Sequence, residues 1–142
     1  MIPSMIIWAV KGAALFVLLI LASYHDIRTR QIPDTYSIVI ALLALCAPQY
    51  KNLWGVFCCL PFFIAAISVG GIGGADIKIM GAAGMVIGLV PGISAMMIGL
   101  LGMILFHFVR SLFIGKMQGK HSYPLIPFLT VGIISMYLLQ MP

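Results

Sequence analysis

The sequence predicts an all-α integral membrane protein, one polytopic domain over residues 1–142 with a bundle of about six transmembrane helices. Of its 142 residues, 63% are hydrophobic and only 8% are charged, and the mean hydropathy is +1.17. A soluble domain is about 45–50% apolar and about 25% charged, so this composition excludes the soluble classes. At about 20 residues for each spanning helix, the chain has room for about six helices and little else.

Six apolar segments follow one another along the chain, separated by short polar loops. They are Met5–Tyr24, Thr35–Ala47, Leu53–Val69, Ile77–Val90, Ile93–Val109 and Pro124–Met141. The first has no basic region before it and no clear cleavage site, so we interpret it as a retained helix and not a signal peptide. Pro61 predicts a kink in the third segment, and Pro91-Gly92 predicts the turn after the fourth.

The basic residues orient these helices in the membrane. With the N-terminus and the C-terminus outside, the inner loops contain six basic residues: Arg28, Arg30, Lys78, Arg110, Lys116 and Lys120. Lys51 is then outside, and Lys11 lies in or near the first helix. Positively charged loops stay on the cytoplasmic side, so this arrangement is the expected one. It also accounts for the net charge of +5 without a nucleic-acid partner.

The chain has only three acidic residues, Asp26, Asp34 and Asp76, and no glutamate. The predicted topology puts all three at the cytoplasmic face. A carboxylate in apolar surroundings is unfavourable unless it is protonated, paired or hydrated, so each one is a functional candidate. The fourth segment has 14 residues, about 21 Å of helix against a hydrocarbon core of about 30 Å. Asp76, just before it, is therefore expected within reach of water inside the membrane thickness.

Each carboxylate also has a structural interpretation. Asp34 is well placed to cap the second helix, and Asp76 to cap the fourth. Asp26 could pair with Arg28 or Arg30, but a capping role is not expected at the C-terminal end of its own helix.

The glycines around Asp76 predict close helix packing. Gly73 and Gly74 would allow positive φ and a close approach to a neighbouring helix. The spacing Gly84-x-x-x-Gly88-x-x-x-Gly92 is a small-x-x-x-small pattern, which lets two helices pack closely. Two carboxylates held about 3 Å apart share a proton, and such a pair hydrolyses peptide bonds by the aspartic-protease mechanism.

Other protease chemistries fit the sequence less well. A zinc site of the H-E-x-x-H type is excluded because the chain has no glutamate. Ser94 and His107 lie about 20 Å apart along one helix, too far for a catalytic pair.

Two motifs give the sequence a family resemblance. Asp26-Ile-Arg-Thr-Arg-Gln-Ile-Pro-Asp34, followed by Gly73-Gly-Ala-Asp76-Ile-Lys78, resembles the type IV prepilin peptidase family of G-x-G-D intramembrane aspartic proteases. The resemblance implies a catalytic pair at Asp26 and Asp76. It also implies supporting motif positions at Pro33, Asp34, Gly73, Gly74, Ala75 and Lys78. Residue 75 is alanine where the motif has glycine, as in the similar preflagellin peptidases. The chain has no room for the cysteine-bearing insertion of larger members, so the peptidase-only branch without N-methyltransferase activity is implied.

The implied activity is removal of the basic leader from prepilin-like proteins, such as type IV pilins, pseudopilins or Flp-type pilins. Cleavage is expected after glycine at the cytoplasmic face of a bacterial or archaeal membrane, with no cofactor and no metal. The expected partners are a single-span substrate, the lipid bilayer, and components of a pilus or secretion assembly. Two alternatives stay open: a small proton- or ion-coupled transporter that uses Asp76 and Lys78, and a non-catalytic scaffold of such an assembly.

Overall fold

The computed structural model describes residues 2–46, 48–68, 73–114 and 124–140, and all regular structure within these ranges is helical. The helices are α1 Ile2–Thr29, α2 Asp34–Cys46, α3 Tyr50–Leu53, a 3₁₀ segment Trp54–Cys58, α4 Cys59–Ser68, α5 Gly74–Ile87, α6 Leu89–Ile114 and α7 Ile126–Leu139. α3, the 3₁₀ segment and α4 follow one another without a gap. The described chain therefore forms six helical stretches, as the six apolar segments predict. Lys116 and Lys120, expected in an inner loop, lie outside the described residues.

Three of the stretches are long and apolar enough to cross a membrane: Ser4–Thr29, Tyr50–Ser68 and Leu89–Phe113. Two more, Asp34–Cys46 and Ile126–Leu139, are apolar but shorter. The membrane character predicted from composition is therefore confirmed. The number of crossings and the side on which the ends lie remain predictions.

The end of α1 differs from the sequence prediction. The predicted loop began at His25, but the helix continues to Thr29. The N–H of Arg30 donates to the carbonyl of Asp26 at 3.1 Å, and Arg30 then ends the helix with a φ of 54°. The polar residues after Tyr24 end the apolar surface, but nothing in them interrupts the helical hydrogen bonds. Asp26 is therefore a helical residue.

One predicted proline break is wrong in position. α5 ends at Ile87, and the chain turns at Gly88, whose φ of 96° favours glycine. Pro91 lies in the first turn of α6, where a missing N–H costs nothing. Pro61 lies in the first turn of α4, and the third helical stretch is irregular directly before it, in the 3₁₀ segment that contains Phe57, the i−4 position which a proline disturbs.

α5 is the central helix, and most of its residues from Ile79 to Ile87 are buried. It packs backbone to backbone against the 3₁₀ segment: a Cβ at Gly84 would collide with the carbonyl of Gly55, and one at Gly55 with that of Gly84. Close packing at glycine is thus confirmed at Gly84. The three predicted glycines do not share one helix, however, because Gly88 separates α5 from α6.

The C-terminal end of this short helix is capped by side chains from elsewhere. Asn52 Nδ2 donates to the carbonyl of Val86 at 3.0 Å, and Gln140 Nε2 donates to that of Ile87 at 2.9 Å. The last carbonyls of a helix need such partners when water is scarce. A 14-residue helix can therefore end inside the bundle without unsatisfied backbone groups.

Candidate active site

Asp26 lies on the face of α1 that packs against α7, and it is buried, with 8% exposure. Its Oδ2 accepts the N–H of Ile126, the first residue of α7, at 3.1 Å. The N–H groups of a helix's first turn have no partner within that helix, so a carboxylate there is favourable. Local sequence could not predict capping by Asp26, since the capped helix is about a hundred residues away.

A second pair of polar side chains joins α1 and α7 one turn from Asp26. The hydroxyls of Ser23 and Thr130 are 2.8 Å apart, and Ser23 Oγ also donates to the carbonyl of Leu19 at 2.8 Å. Both side chains are buried. These contacts fix the register of α7 against the helix that carries Asp26.

Asp76 lies in the first turn of α5, outside the three long candidate spans, and is half-buried. Burial, and to a smaller extent the negative charge of Asp26, raise the pKa of Asp76 to about 6, while a backbone hydrogen bond at Gly73 opposes the rise. An electrostatic effect of this kind requires the two carboxylates to be near each other. The structure therefore brings Asp26 and Asp76 together at one end of the bundle.

The motif glycines act differently from the prediction. Gly73 has a φ of −68°, and neither it nor Gly74 adopts positive φ. A Cβ at Gly73 would lie 3.2 Å from Asp76 Oδ2, whereas one at Gly74 would meet no described atom within 4 Å. Gly73 therefore leaves room for the Asp76 carboxylate, and the close helix contact expected at Gly74 is not found. Ala75 is half-buried in the same turn.

Asp34 and Lys78 form an ion pair between α2 and α5. Lys78 Nζ donates to Asp34 Oδ2 at 2.7 Å, and both side chains are more than half exposed. Asp34 begins α2, and the carbonyl of Pro33 accepts the N–H of Tyr36 at 3.3 Å in the same turn. Lys78 thus points to α2 and not to Asp76.

Arg28 and Arg30, suggested as partners of Asp26, are both exposed, and of the two Arg30 interacts electrostatically with Asp26. Arg28 donates to the hydroxyl of Tyr24 at 3.0 Å and lies over that ring. Within the described ranges, no three histidine, cysteine, aspartate or glutamate side chains gather as metal ligands.

A comparison of the sequence with models of protein families gave a match. The model of the type IV leader peptidase family matches residues 13–112, more than two thirds of the chain. The chain belongs to the type IV leader peptidase family. This confirms the resemblance carried by the two aspartate motifs, both of which lie inside the matched residues. Searches of curated proteins and of solved structures found no match.

The part of this leader peptidase beyond residue 112 supplies contacts that sequence reasoning missed. Ile126 and Thr130 of α7 hold α1 next to Asp26. Ser23 precedes Asp26 by three residues, so the helical repeat puts both on one face of α1, which was a usable signal. Nothing in the sequence of α7 indicated which residues would meet that face.

Proposed function

We propose that the chain is an intramembrane aspartic endopeptidase that removes the basic leader of prepilin-like proteins, with Asp26 and Asp76 as its catalytic pair. Its family supplies the reaction class, leader peptide cleavage. One observation carries the assignment of the pair: Asp26 and Asp76, fifty residues apart on α1 and α5, are near enough for the charge of one to raise the pKa of the other.

The proposed mechanism divides the two carboxylates between base and acid. The Ile126 N–H can only donate, so it interacts more strongly with an ionised Asp26 than with a protonated one. Asp26 then takes a proton from water, and the resulting hydroxide attacks the scissile carbonyl carbon. Asp76, which keeps its proton up to about pH 6, protonates the carbonyl oxygen. When the tetrahedral intermediate collapses, the C–N bond breaks, the leaving nitrogen takes the proton from Asp26, and one hydroxyl of the intermediate returns a proton to Asp76 as the carbonyl re-forms.

The substrate assignment follows from where the pair lies. Both carboxylates are at one end of the bundle, and positive-inside counting makes that end cytoplasmic. The scissile bond must then lie at the membrane surface, just before the substrate's own helix, with a basic leader in the cytoplasm. A small residue before the bond, glycine by family resemblance, fits an extended peptide entering between packed helices. The Asp34–Lys78 ion pair next to this end has a supporting role.

Cleavage by the purified protein in liposomes tests this proposal. The substrate is a prepilin-like protein with a basic leader, a glycine and an apolar helix, and cleavage is followed by mass spectrometry. Asp26→Asn and Asp76→Asn should each abolish cleavage without lowering the amount of folded protein. Asp34→Asn is the matched control: it keeps an acceptor for Lys78, and an exposed ion pair contributes only about 0–1 kcal/mol.

The same assay distinguishes the remaining possibilities. The mature product should carry an unmethylated N-terminus and should form equally well with EDTA present. Wild-type cleavage by Asp26→Asn would refute the assigned pair. Full substrate processing in both aspartate variants would favour a scaffold, and proton flux without cleavage would favour a transporter.

A further inference from the structure

A groove of about 470 Å³ lies between α2 and α5, and no step of the proposed reaction uses it. Asp34, Ser37 and Ala41 line it from α2, and Lys78, Gly81 and Met85 line it from α5. In each set the residues repeat every three or four positions, so each helix contributes one continuous face. The volume is within the range of about 300–1,000 Å³ that is usual for small-molecule sites.

The groove is on the opposite side of α5 from the aspartate pair. Successive helical residues are rotated by about 100°, so Lys78 lies about 200° around the helix from Asp76, and Met85 about 180°. Asp26 of α1 acts electrostatically on Asp76. The body of α5 therefore separates the groove from the site of cleavage.

The chemistry of the groove changes along its length in a fixed order. The mouth contains the Asp34–Lys78 pair, whose charged atoms are 2.7 Å apart and more than half exposed. Ser37 lies about 4.5 Å deeper, one turn along α2, and Ala41 about 10 Å deeper at an apolar end. The groove thus offers two opposite charges, then one hydroxyl, then an apolar slot.

The hydroxyl of Ser37 is the unexplained group in this series. Ser37 is 7% exposed, and its Oγ is enclosed with no hydrogen-bond partner among the described residues. A buried hydroxyl without a partner is unfavourable, and such groups in native structures usually have a bound partner at hand. Ser37 lines the groove, so a ligand acceptor at that depth would satisfy the hydroxyl if a change of its χ1 rotamer brought the two together.

We propose that the groove binds one glycerophospholipid with an amine-bearing headgroup, such as phosphatidylethanolamine. The headgroup phosphate lies against the Lys78 ammonium, and the headgroup ammonium lies against the Asp34 carboxylate. An ester carbonyl of the glycerol backbone accepts the hydrogen bond from Ser37, and one acyl chain fills the slot beside Ala41 and Met85. Opposite charges, ester groups and hydrocarbon follow one another along such a lipid in the same order as along the groove.

The apolar helix of a peptide substrate fits the groove less well. A helix satisfies its own backbone groups, so it gives the Ser37 hydroxyl no acceptor. A substrate bound there would also have α5 between its scissile bond and Asp76. The observations therefore favour a lipid.

Native mass spectrometry of the full chain tests the proposal directly. The protein, purified in mild detergent, is exposed to an equimolar mixture of phosphatidylethanolamine, phosphatidylglycerol and phosphatidylcholine with identical acyl chains. One phosphatidylethanolamine should remain bound to each chain in preference to the other two. Ser37→Ala should weaken this binding by about fivefold, the effect of one neutral hydrogen bond. Ser94→Ala is the control, since that hydroxyl bonds the carbonyl of Val90 in its own helix.

A steric variant makes the test independent of Ser37. Ala41→Phe fills the slot and should abolish retention of the lipid, whereas Val39→Phe, which adds the same ring on another face of α2, should not. Asp76→Asn should retain the lipid like the wild type, so loss of peptidase activity and loss of lipid binding are distinguishable.

Four outcomes would overturn the proposal. They are equal retention of the three lipids, unchanged retention in Ser37→Ala, and displacement of the lipid by an equal concentration of soluble phosphorylethanolamine. The fourth is cross-linking from residue 41 to the apolar helix of a prepilin-like substrate, which would assign the groove to the substrate instead.

Discussion

The electrostatic link between Asp26 and Asp76 makes a prediction about proton binding. In Asp26→Asn the negative charge is lost but the burial of Asp76 is kept. Burial is the larger of the two causes that raise the pKa of Asp76 from 3.8 to about 6. The midpoint of Asp76 protonation should therefore fall below about 6 in this variant, but only part of the way to 3.8.

Carbodiimide labelling measures that midpoint. An apolar carbodiimide reacts with protonated carboxyls, so its adduct at Asp76, quantified by mass spectrometry from about pH 4 to about pH 8, follows the protonated fraction. Asp34→Asn is the control, because Asp34 pairs with Lys78 and does not influence Asp76. An unchanged or raised midpoint in Asp26→Asn would refute the proximity of the two carboxylates.

The same proton sets the pH dependence of cleavage. If Asp76 is the general acid, the rate needs its protonated form, so kcat/KM should fall about tenfold for each pH unit well above about 6. Because the two groups interact, the limbs of the profile belong to the pair and not to one residue. A rate that rises with pH through this range would assign the proton to another group.

Four further predictions concern the residues that surround the site and the topology of the helices. Gly73→Ala should lower kcat/KM more than Gly74→Ala, because only the first crowds the carboxylate of Asp76; equal effects in cleavage assays would contradict this. Gly84→Ala should lower the free energy of unfolding by about 1–3 kcal/mol in detergent, because its methyl group meets backbone that cannot move aside. Thr130→Val should cost about 1 kcal/mol in the same measurement and reduce kcat, by loosening α7 on α1. Reporter fusions at Lys51 and at the C-terminus should both read as external, and a cytoplasmic C-terminus would break the six-crossing count.

Hydropathy predicted the helices but not all of their ends. It measures apolar surface, whereas a helix ends where its hydrogen bonds end, so α1 passes Tyr24 and continues through Asp26 to Thr29. The proline signals misplaced the turn after α5 for a related reason. Pro91 is compatible with the first turn of a helix, and the turn needs the positive φ that Gly88 adopts.

The aspartate pair was predictable in outline and not in detail. Charge counting put all three carboxylates at one end of the bundle, and the structure puts Asp26 near Asp76 there. Local sequence could not show that Lys78 pairs with Asp34, because that contact depends on how α2 lies against α5. Nor could it distinguish Gly73 from Gly74, since a single residue step decides which of them faces the carboxylate.

α7 has no acidic residue, yet it connects the two helices that carry the pair. At one end its Ile126 N–H binds Asp26, and at the other the hydroxyl of Tyr137 donates to the carbonyl of Trp8 at 2.7 Å, so α7 runs antiparallel to α1 along nearly its whole length. Just beyond its C-terminal end, Gln140 binds the last carbonyl of α5. A displacement of α7 would therefore move Asp26 relative to α5 and Asp76 without touching either carboxylate's own helix. The distance between the two aspartates therefore depends on a helix that lies outside the residues matched by the family.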